Sequence, residues 1–304
     1  MIKLNINDEI SRLRAVVLGR ADSTGPVPKL ENAYDPKSAE HIKAGTYPKD
    51  ADMIKEMDAV AKVFEKYGVK VFRPDPIKNY NQIFTRDIAF VIEDKFVKAN
   101  ILEDRGNEID AIHSVIEEID PSKIIEFPDD AHIEGGDVMP WGDHIFVGTY
   151  YGDDYSNYIT ARTNMKGVQH LQKVFPHKKV KSFSLRKSNT VADENALHLD
   201  CCFQPLGKGK AIIHKEGFLV EEEYQWLVDF FGKENCFHIS KREMYDMNSN
   251  VFSISPDVVI SEKNFDRLNT WLREQGFTVE EVPYAEIAKQ EGLLRCSTLP
   301  LIRD

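Results

Sequence analysis

The chain has 304 residues, of which 42% are hydrophobic, and it carries a formal net charge of −11 at pH 7. This content is enough for a large core and excludes a disordered chain, and the acidic balance argues against a nucleic acid as partner, because phosphate binding depends on clustered Lys and Arg. No run has the length of a membrane span or the features of a signal peptide, and no cysteine pair has disulfide or CxxC spacing, so we expect a cytoplasmic protein without membrane contact.

The hydrophobic pattern of the first seventy or so residues predicts one strand, one long loop, one helix and a second strand. The strand covers Arg14–Leu18, and the Gly- and Pro-rich segment from Arg20 to Pro48 is predicted as a loop. Apolar residues at helical spacing predict a helix over Ala51–Tyr67, which Gly68 ends, and Val69–Phe72 follows as a strand.

From there a pattern of hairpin, helix and strand recurs along the chain. The predicted hairpins are Ile88–Ala99, Asp137–Val147, Leu197–His214 and Val251–Ile260. The helices that follow them are Glu108–Ile119, Asn164–Phe175, Glu221–Phe231 and Lys263–Gln275. The strands that complete each unit are Ile124–Phe127, Val180–Phe183, Cys236–Ile239 and Thr278–Val282.

The two ends of the chain each hold part of one more unit. The C-terminal run Cys296–Ile302 has no second hairpin strand, and the N-terminal run Arg14–Leu18 lacks a first one. Pairing the two runs predicts a closed ring of five hairpin-helix-strand units, an α/β domain over residues 1–304. An open α/β sheet is the alternative, and the pattern leaves open whether the domain forms a homo-oligomer.

Ionisable or reactive side chains stand at or just before the first strand of several hairpins, and equivalent positions in a ring converge on its axis. These residues are Asp87, Glu134, Asp137, His198, Asp200 and Cys296. Each alone has an ordinary structural explanation, such as a turn cap or a buried core cysteine. Side-chain alternation along a strand would point His198 and Asp200 to the same face. The convergence of all of them indicates a reactive site.

Some of these acidic and histidine residues could instead form a metal site. The possible ligands are His132, Glu134, Asp137, His198 and Asp200. Neither an HExxH helix nor a Cys/His knuckle is present, so the sequence predicts no metal and no cofactor.

Carboxylates, an imidazole and a thiol can instead bind a planar cation and attack its carbon. A guanidinium fits well, because its N–H donors pair with carboxylates through parallel hydrogen bonds. Asp87 and Asp200 would hold this cation, and the bound charge would favour the ionised form of the Cys296 thiol.

Motifs along nearly the whole chain resemble those of the guanidine-modifying superfamily, which includes arginine deiminases, dimethylarginine hydrolases and amidinotransferases. The strings are Asn81-x-x-Phe84-Thr85-Arg86-Asp87, Ile133-Glu134-Gly135-Gly136-Asp137-Val138, Arg162-Thr163-Asn164, His198-Leu199-Asp200, Asn250-Val251 and Arg295-Cys296-Ser297-x-x-Pro300. The resemblance implies a pentein fold, which is a five-bladed pseudo-symmetric α/β propeller, and a small guanidino substrate such as arginine.

The resemblance also implies a role for each residue. Cys296 would attack the guanidino carbon and form a covalent amidino-enzyme. His198, oriented by Glu134, would protonate the leaving amine and then activate the acceptor. Asp87 and Asp200 would hold the guanidinium. The rest of an arginine-like substrate would meet Asp137 and Asn81 at its α-amino group and Arg162 and Arg105 at its carboxylate.

The motifs divide between hydrolysis and amidino transfer. Glu134 and the string at 81–87 resemble the hydrolytic branch, whereas the segments 18–22, 47–50 and 71–76 resemble amidinotransferases. We expect a hydrolase, with an amidinotransferase and a non-catalytic binding module as the alternatives. Glu291-Gly292-Leu293-Leu294 stands where deiminases carry a substrate-binding arginine. The aromatic segment Tyr150–Tyr158 is predicted to be either a lid or a surface loop.

Overall fold

The computed structural model describes residues 1–304 and contains five three-stranded sheets. The strands are β1 (Leu13–Leu18), β2 (Lys70–Phe72), β3 (Ala89–Ile92), β4 (Lys95–Lys98), β5 (Ile124–Glu126), β6 (Val138–Trp141), β7 (His144–Thr149), β8 (Lys179–Ser184), β9 (Phe203–Pro205), β10 (Ala211–Ile213), β11 (Cys236–His238), β12 (Phe252–Ser255), β13 (Val258–Glu262), β14 (Thr278–Val282) and β15 (Thr298–Arg303). The α-helices are α1 (Pro36–Ala44), α2 (Asp50–Lys66), α3 (Thr85–Ile88), α4 (Asn107–Asp110), α5 (His113–Ile116), α6 (Met165–Val174), α7 (Glu221–Phe231), α8 (Lys241–Tyr245) and α9 (Asp266–Glu274).

All the sheets share one topology. The middle strand pairs antiparallel with its hairpin partner and parallel with the strand that returns after a helical segment, as in the sheets β3-β4-β5 and β12-β13-β14. The hairpins need tight turns, and the residues in these turns adopt left-handed backbone conformations. Lys208 and Gly209, at φ 59° and 71°, form the turn between β9 and β10. The repeated topology confirms the five units that the sequence predicts.

The chain ends close the ring. β15 pairs antiparallel with β1 from Leu13 opposite Arg303 to Leu18 opposite Thr298, and β2 lies parallel on the other side of β1. Both strands are largely buried, so the apolar C-terminal run is held by the start of the chain. The predicted closure is confirmed, and an open sheet is excluded.

Helices pack on the sheets through one apolar face. In α2 the buried residues include Met53, Met57, Val60 and Phe64, which recur at the spacing of one helical face. They belong to the largest apolar cluster, and burying each such side chain contributes about 1.5–3 kcal/mol before entropy is counted. None of the helices is both long and apolar enough to cross a membrane.

Two helical predictions differ from the structure. The predicted loop Arg20–Pro48 contains α1, whose first turn is capped by Asp35, which accepts a 2.6 Å hydrogen bond from the Ser38 N–H. Its nine residues carry few apolar side chains, so hydrophobic periodicity did not reveal it. The predicted helix Glu108–Ile119 is broken into α4 and α5.

The structure also corrects the first strand of the predicted hairpin Leu197–His214, which was expected over Leu197–Pro205. Only Phe203–Pro205 is a strand, and Leu199–Cys201 forms a 3₁₀ turn. The turn is held by the Asp137 side chain, which accepts a 2.9 Å hydrogen bond from the Leu199 N–H. The prediction that strand alternation points His198 and Asp200 to one face is therefore wrong, and Cys296 likewise lies before β15 rather than inside it.

Candidate active site

The segments that precede the hairpins meet around one cavity of about 260 Å³. The predicted site residues in its lining are Asn81, Asp87, Arg105, Arg162, His198 and Cys296. Glu134, Asp137 and Asp200 lie behind this lining and act on it through their contacts. Closure of the ring therefore brings residues from distant parts of the sequence to one place.

His198 and Glu134 form a buried pair. The imidazole Nε2 lies 2.8 Å from Glu134 Oε2, and both side chains are about 1% exposed. Burial alone would raise the pKa of Glu134, but the charge of Arg162 and the bond from His198 lower it to about 2. The ionised carboxylate can only accept, so Nε2 carries the proton and Nδ1 is the nitrogen free for proton transfer.

The surroundings of His198 favour its charged form. Burial lowers its pKa, but the charge of Asp87 and the hydrogen bond to Glu134 outweigh burial, so the pKa lies above its ordinary value. Nδ1 is 3.7 Å from Asp87 Oδ1. A Cβ on Gly136 would lie 2.5 Å from Nδ1, so only glycine at this position lets the imidazole sit where it does.

Cys296 lies against an amide and a carboxylate. Asn250 Nδ2 donates to Cys296 Sγ at 3.2 Å, and Asp200 Oδ2 lies 3.5 Å from the same sulfur. Asn250 Oδ1 accepts from the Cys296 N–H at 3.2 Å, which fixes the backbone on the other side. Burial and the charges of Asp200 and Asp87 raise the pKa of the thiol well above its ordinary value. Without a cation nearby, Cys296 is therefore a neutral thiol.

Asp87 has one free oxygen in this cavity. Its Oδ2 accepts a 2.8 Å hydrogen bond from the Arg105 guanidinium, while Oδ1 is buried and has no hydrogen-bond partner. An unpaired buried acceptor is costly, so this oxygen is suited to receive a donor from a bound cation.

Asp200 is tied to a second arginine behind Cys296. Its Oδ2 accepts from Arg295 Nη1 at 2.8 Å, and Glu9 accepts two further bonds from the same guanidinium at 3.0 Å. Arg295 is fully buried. Sequence reasoning did not assign a role to Glu9 or Arg295, although an arginine directly before a candidate nucleophile in an apolar run was a signal for a buried ion pair.

Both arginines of the cavity are engaged by the protein. Arg105 binds Glu108 at 2.7 and 3.0 Å in addition to Asp87. Arg162 Nη1 lies 3.2 and 3.3 Å from the oxygens of Glu134, and its other nitrogens donate to backbone carbonyls of Ile159 and Tyr34. Both guanidinium groups are therefore held by carboxylates of the protein itself, and their role at a substrate carboxylate stays a prediction.

Of the two residues expected at a substrate amino group, only Asn81 lines the cavity. Its amide donates to Gln290 Oε1 at 2.7 Å. Asp137 is fully buried outside the lining, where its Oδ1 holds the Leu199 N–H, and burial raises its pKa. In this structure Asp137 fixes the turn that carries Asp200 instead of facing the cavity.

Asp87, Glu134 and His198 offer ligand atoms within 4.8 Å of one another. A divalent ion would have to displace the bonds that Arg105, Arg162 and His198 already make to these carboxylates. The other residues considered as ligands, His132, Asp137 and Asp200, lie outside this cluster. The donor set therefore fits an organic cation better than a metal.

The aromatic segment Tyr150–Tyr158 lies next to this site. Tyr155 and Tyr158 line a separate cavity of about 420 Å³ together with Glu134 and Arg162. The segment also packs outward, because the Tyr151 hydroxyl donates to Glu223 at 3.0 Å. Its role as a lid stays a prediction.

Comparisons with known proteins identify the family of this chain. Residues 32–303 match the family described as N,N dimethylarginine dimethylhydrolase, eukaryotic. The uncharacterized protein YkgA of Bacillus subtilis is 30% identical over 227 residues, which are 73% of this chain and 70% of YkgA.

Two solved structures share the fold. The N-terminal domain of ArgZ, an arginine dihydrolase from cyanobacteria, superposes with a TM-score of 0.78 at 18% identity, over 95% of this chain and 97% of that domain. The same domain has been solved covalently bound to a reaction intermediate. SxtG, an amidinotransferase from Microseira wollei, superposes with a TM-score of 0.76 at 19% identity, over 99% of this chain and 97% of SxtG. Both likenesses confirm the predicted pentein fold. This chain belongs to the N,N dimethylarginine dimethylhydrolase family of guanidine-modifying enzymes.

Proposed function

We propose that this enzyme is a hydrolase that acts on the guanidinium group of arginine or an arginine-like compound through a covalent amidino-Cys296 intermediate. The observation that carries the proposal is that Cys296 and the His198–Glu134 pair open on one cavity with an unpartnered Asp87 oxygen. A module that only binds has no chemical need for this combination.

Binding of the guanidinium prepares the nucleophile. Its N–H groups would donate to the free Oδ1 of Asp87, while the Asp200 carboxylate lies against Sγ from behind. The bound cation offsets the two negative charges that hold the thiol neutral, so the pKa of Cys296 falls when substrate enters. The thiol proton passes to His198, whose imidazolium is stabilised by Glu134 and Asp87.

The reaction then proceeds in two halves that balance. The Cys296 thiolate attacks the guanidino carbon, a C–S bond forms, and one C–N bond breaks as His198 Nδ1 returns its proton to the departing amine. In the second half neutral His198 takes a proton from water, the hydroxide adds to the amidino carbon, and the C–S bond breaks to release a urea-type product and the thiolate.

Amidino transfer shares the first half and differs only in the acceptor. The family match supports hydrolysis, because the family is described as a hydrolase. One observation favours the transferase as second candidate: a further cavity of about 420 Å³, large enough for a small amine, is lined by Glu134, the residue that binds His198. Only the products decide between the two.

The test is to incubate the protein with arginine or N,N-dimethylarginine, with and without glycine as amine acceptor, and to identify the products by mass spectrometry. Citrulline together with ammonia or dimethylamine, formed without an acceptor, supports the hydrolase. Ornithine formed only when glycine gains the amidino group identifies a transferase. The control is Cys296→Ala, which should form neither product, and no turnover of any guanidine by the wild type would support the binding module.

A further inference from the structure

A second acidic pair, Asp35 and Glu291, lines the cavity of Cys296. Asp35 caps α1, and Glu291 follows the 3₁₀ turn Ile287–Gln290, so each is held by a defined element. They are only 8% and 5% exposed. None of the hydrogen bonds of Cys296 or His198 involves either of them, which leaves this pair without a part in the chemistry described above.

One oxygen of Glu291 has no partner. Its Oε1 accepts a 2.6 Å hydrogen bond from Asn195, whereas Oε2 is buried and receives no hydrogen bond. Burial and the neighbouring Asp35 carboxylate raise the pKa of Glu291 well above its ordinary value. Without a ligand the two carboxyl groups therefore share a proton, and a bound cation would take the place of that proton.

The nearby lysine does not fill this role. Lys37 Nζ donates to the Tyr245 carbonyl and lies 4.5 Å from the centroid of the Tyr245 ring, so it forms no ion pair with Asp35 or Glu291. The remaining cations of the cavity, Arg105 and Arg162, are bound by Glu108, Asp87 and Glu134.

The cavity therefore favours cationic over anionic ligands both at Asp87 and at the Asp35–Glu291 pair. Asp104 and Glu108 add further carboxylates to the lining, and Tyr34 and Tyr47 add aromatic rings that can face an ammonium group. A substrate carboxylate would have to compete with Glu108, Asp87 and Glu134 for the two guanidinium groups, but a substrate ammonium would meet Glu291 Oε2 and the Asp35 carboxylate.

We propose that Asp35 and Glu291 bind an ammonium group at the remote end of the guanidino substrate, so that the preferred substrates are guanidinoalkylamines rather than guanidino acids. This assignment rests on the proposed function, since it names the substrate class of the same cavity. Glu291 and Asp35 are specificity-determining residues and take no part in bond breaking.

Four guanidines that differ only at the remote end test this assignment. They are 4-aminobutylguanidine with an ammonium group, butylguanidine with neither charge, 4-guanidinobutyrate with a carboxylate, and arginine with both. We expect kcat/KM for 4-aminobutylguanidine to exceed that for butylguanidine by about 10-fold or more, as for a hydrogen bond to a charged group. The values for 4-guanidinobutyrate should be the lowest of the series.

Two variants locate the effect. Glu291→Gln and Asp35→Asn keep size and shape, and each should reduce the ratio of kcat/KM for 4-aminobutylguanidine to that for butylguanidine by several fold. The matched control is Glu286→Gln, because Glu286 lies in the same segment but is partly exposed and paired with Lys289. That control should leave the ratio as in the wild type, and urea unfolding of all three variants checks the fold.

The outcomes separate this inference from the function on which it rests. If 4-guanidinobutyrate or arginine is the best substrate, or if the ratio is unchanged in Glu291→Gln and Asp35→Asn, the ammonium site is wrong while Cys296-dependent hydrolysis stands. If no guanidine of the series reacts and N,N-dimethylarginine does not react either, the proposed function itself fails.

Discussion

Two buried charge networks flank Cys296, and they differ in how completely their hydrogen bonds are used. The inner network consists of Glu9, Arg295 and Asp200, and the Arg295 guanidinium also donates to the carbonyls of Gly136 and Val138. The cavity network consists of Asp87, Arg105, Glu108, Glu134, Arg162 and His198. It leaves Asp87 Oδ1 without a partner.

The two networks therefore have different roles in the site. In the inner network burial would raise the pKa of Glu9, but Arg295 and Arg86 lower it to about 2, so the carboxylate stays charged. Such a network holds the Asp200 side chain and the chain segment that leads into Cys296 in place. The cavity network has an acceptor and an imidazole nitrogen to spare, and these spare atoms are what a substrate can use.

The largest expected effect is on turnover, from removing the sulfur that lies between the networks. Cys296→Ala should abolish the reaction, because no other thiol lines the cavity, while both networks stay intact. Mass spectrometry of the products measures turnover, and urea unfolding measures whether the fold stays intact. A variant that no longer unfolds cooperatively would mark Cys296 as a core residue instead of a nucleophile.

The next effect is on stability and tests the inner network. Arg295→Leu leaves Asp200 buried without its hydrogen-bonded cation and leaves Glu9 with only Arg86, at 3.8 Å. Breaking such a pair costs about 3–5 kcal/mol of unfolding free energy. Urea unfolding at pH 7 should show this loss. Arg105→Leu is the matched change in the cavity network, and we expect a smaller loss there because Arg105 lies on a cavity that water can enter.

Lowering the pH should reduce the difference in unfolding free energy between the wild type and Arg295→Leu. The pKa of Glu9 is lowered from 4.5 to about 2 in the folded protein, so its stabilising effect is present above the unfolded value and is lost as the pH falls towards 2. The variant already lacks the part of this contribution that comes from Arg295. A deficit that stays constant between pH 5 and pH 2 in the unfolding measurements would contradict an ionised Glu9 held by Arg295.

A smaller effect concerns the pH dependence of the cavity network. Glu134→Gln removes the charge that helps to raise the pKa of His198, so that pKa should fall. The acid limb of the kcat/KM profile, on which His198 gains a proton and can no longer accept the thiol proton, should then move to lower pH. The profile of Glu108→Gln is the control, because Glu108 bonds to Arg105 and not to His198. An unshifted limb in Glu134→Gln would separate Glu134 from the proton transfer.

The sequence predicted the parts of this arrangement that depend on local pattern. Hydrophobic periodicity located the hairpins and most helices, and the incomplete units at the two ends predicted the pairing of β1 with β15. It missed α1, which is marked by its Asp35 cap and Pro36 more than by apolar residues. That omission also hid Asp35 from the predicted site.

The parts that depend on distant contacts could not be read in the same way. Glu9 and Arg295 are separated by 286 positions, so the local sequence could indicate a buried ion pair at Arg295 but not its partner. The motif placed Asp137 in the site, but the structure shows its carboxylate holding the Leu199 N–H. Residue identity predicted which side chains gather at the axis, whereas their individual bonds follow from tertiary packing.

The smallest expected effect concerns an exposed ion pair that can be compared with the buried inner network. Arg14 and Asp304 form an ion pair across the same closure, but their side chains are 43% and 51% exposed. Water and salt screen such a pair, so Arg14→Leu should change the unfolding free energy by only about 0–1 kcal/mol. Comparing it with Arg295→Leu by urea unfolding keeps the substitution constant and varies burial. Equal losses in the two variants would mean that the closure of the ring, and not the buried charge, sets the stability, and the distinction between the networks would fail.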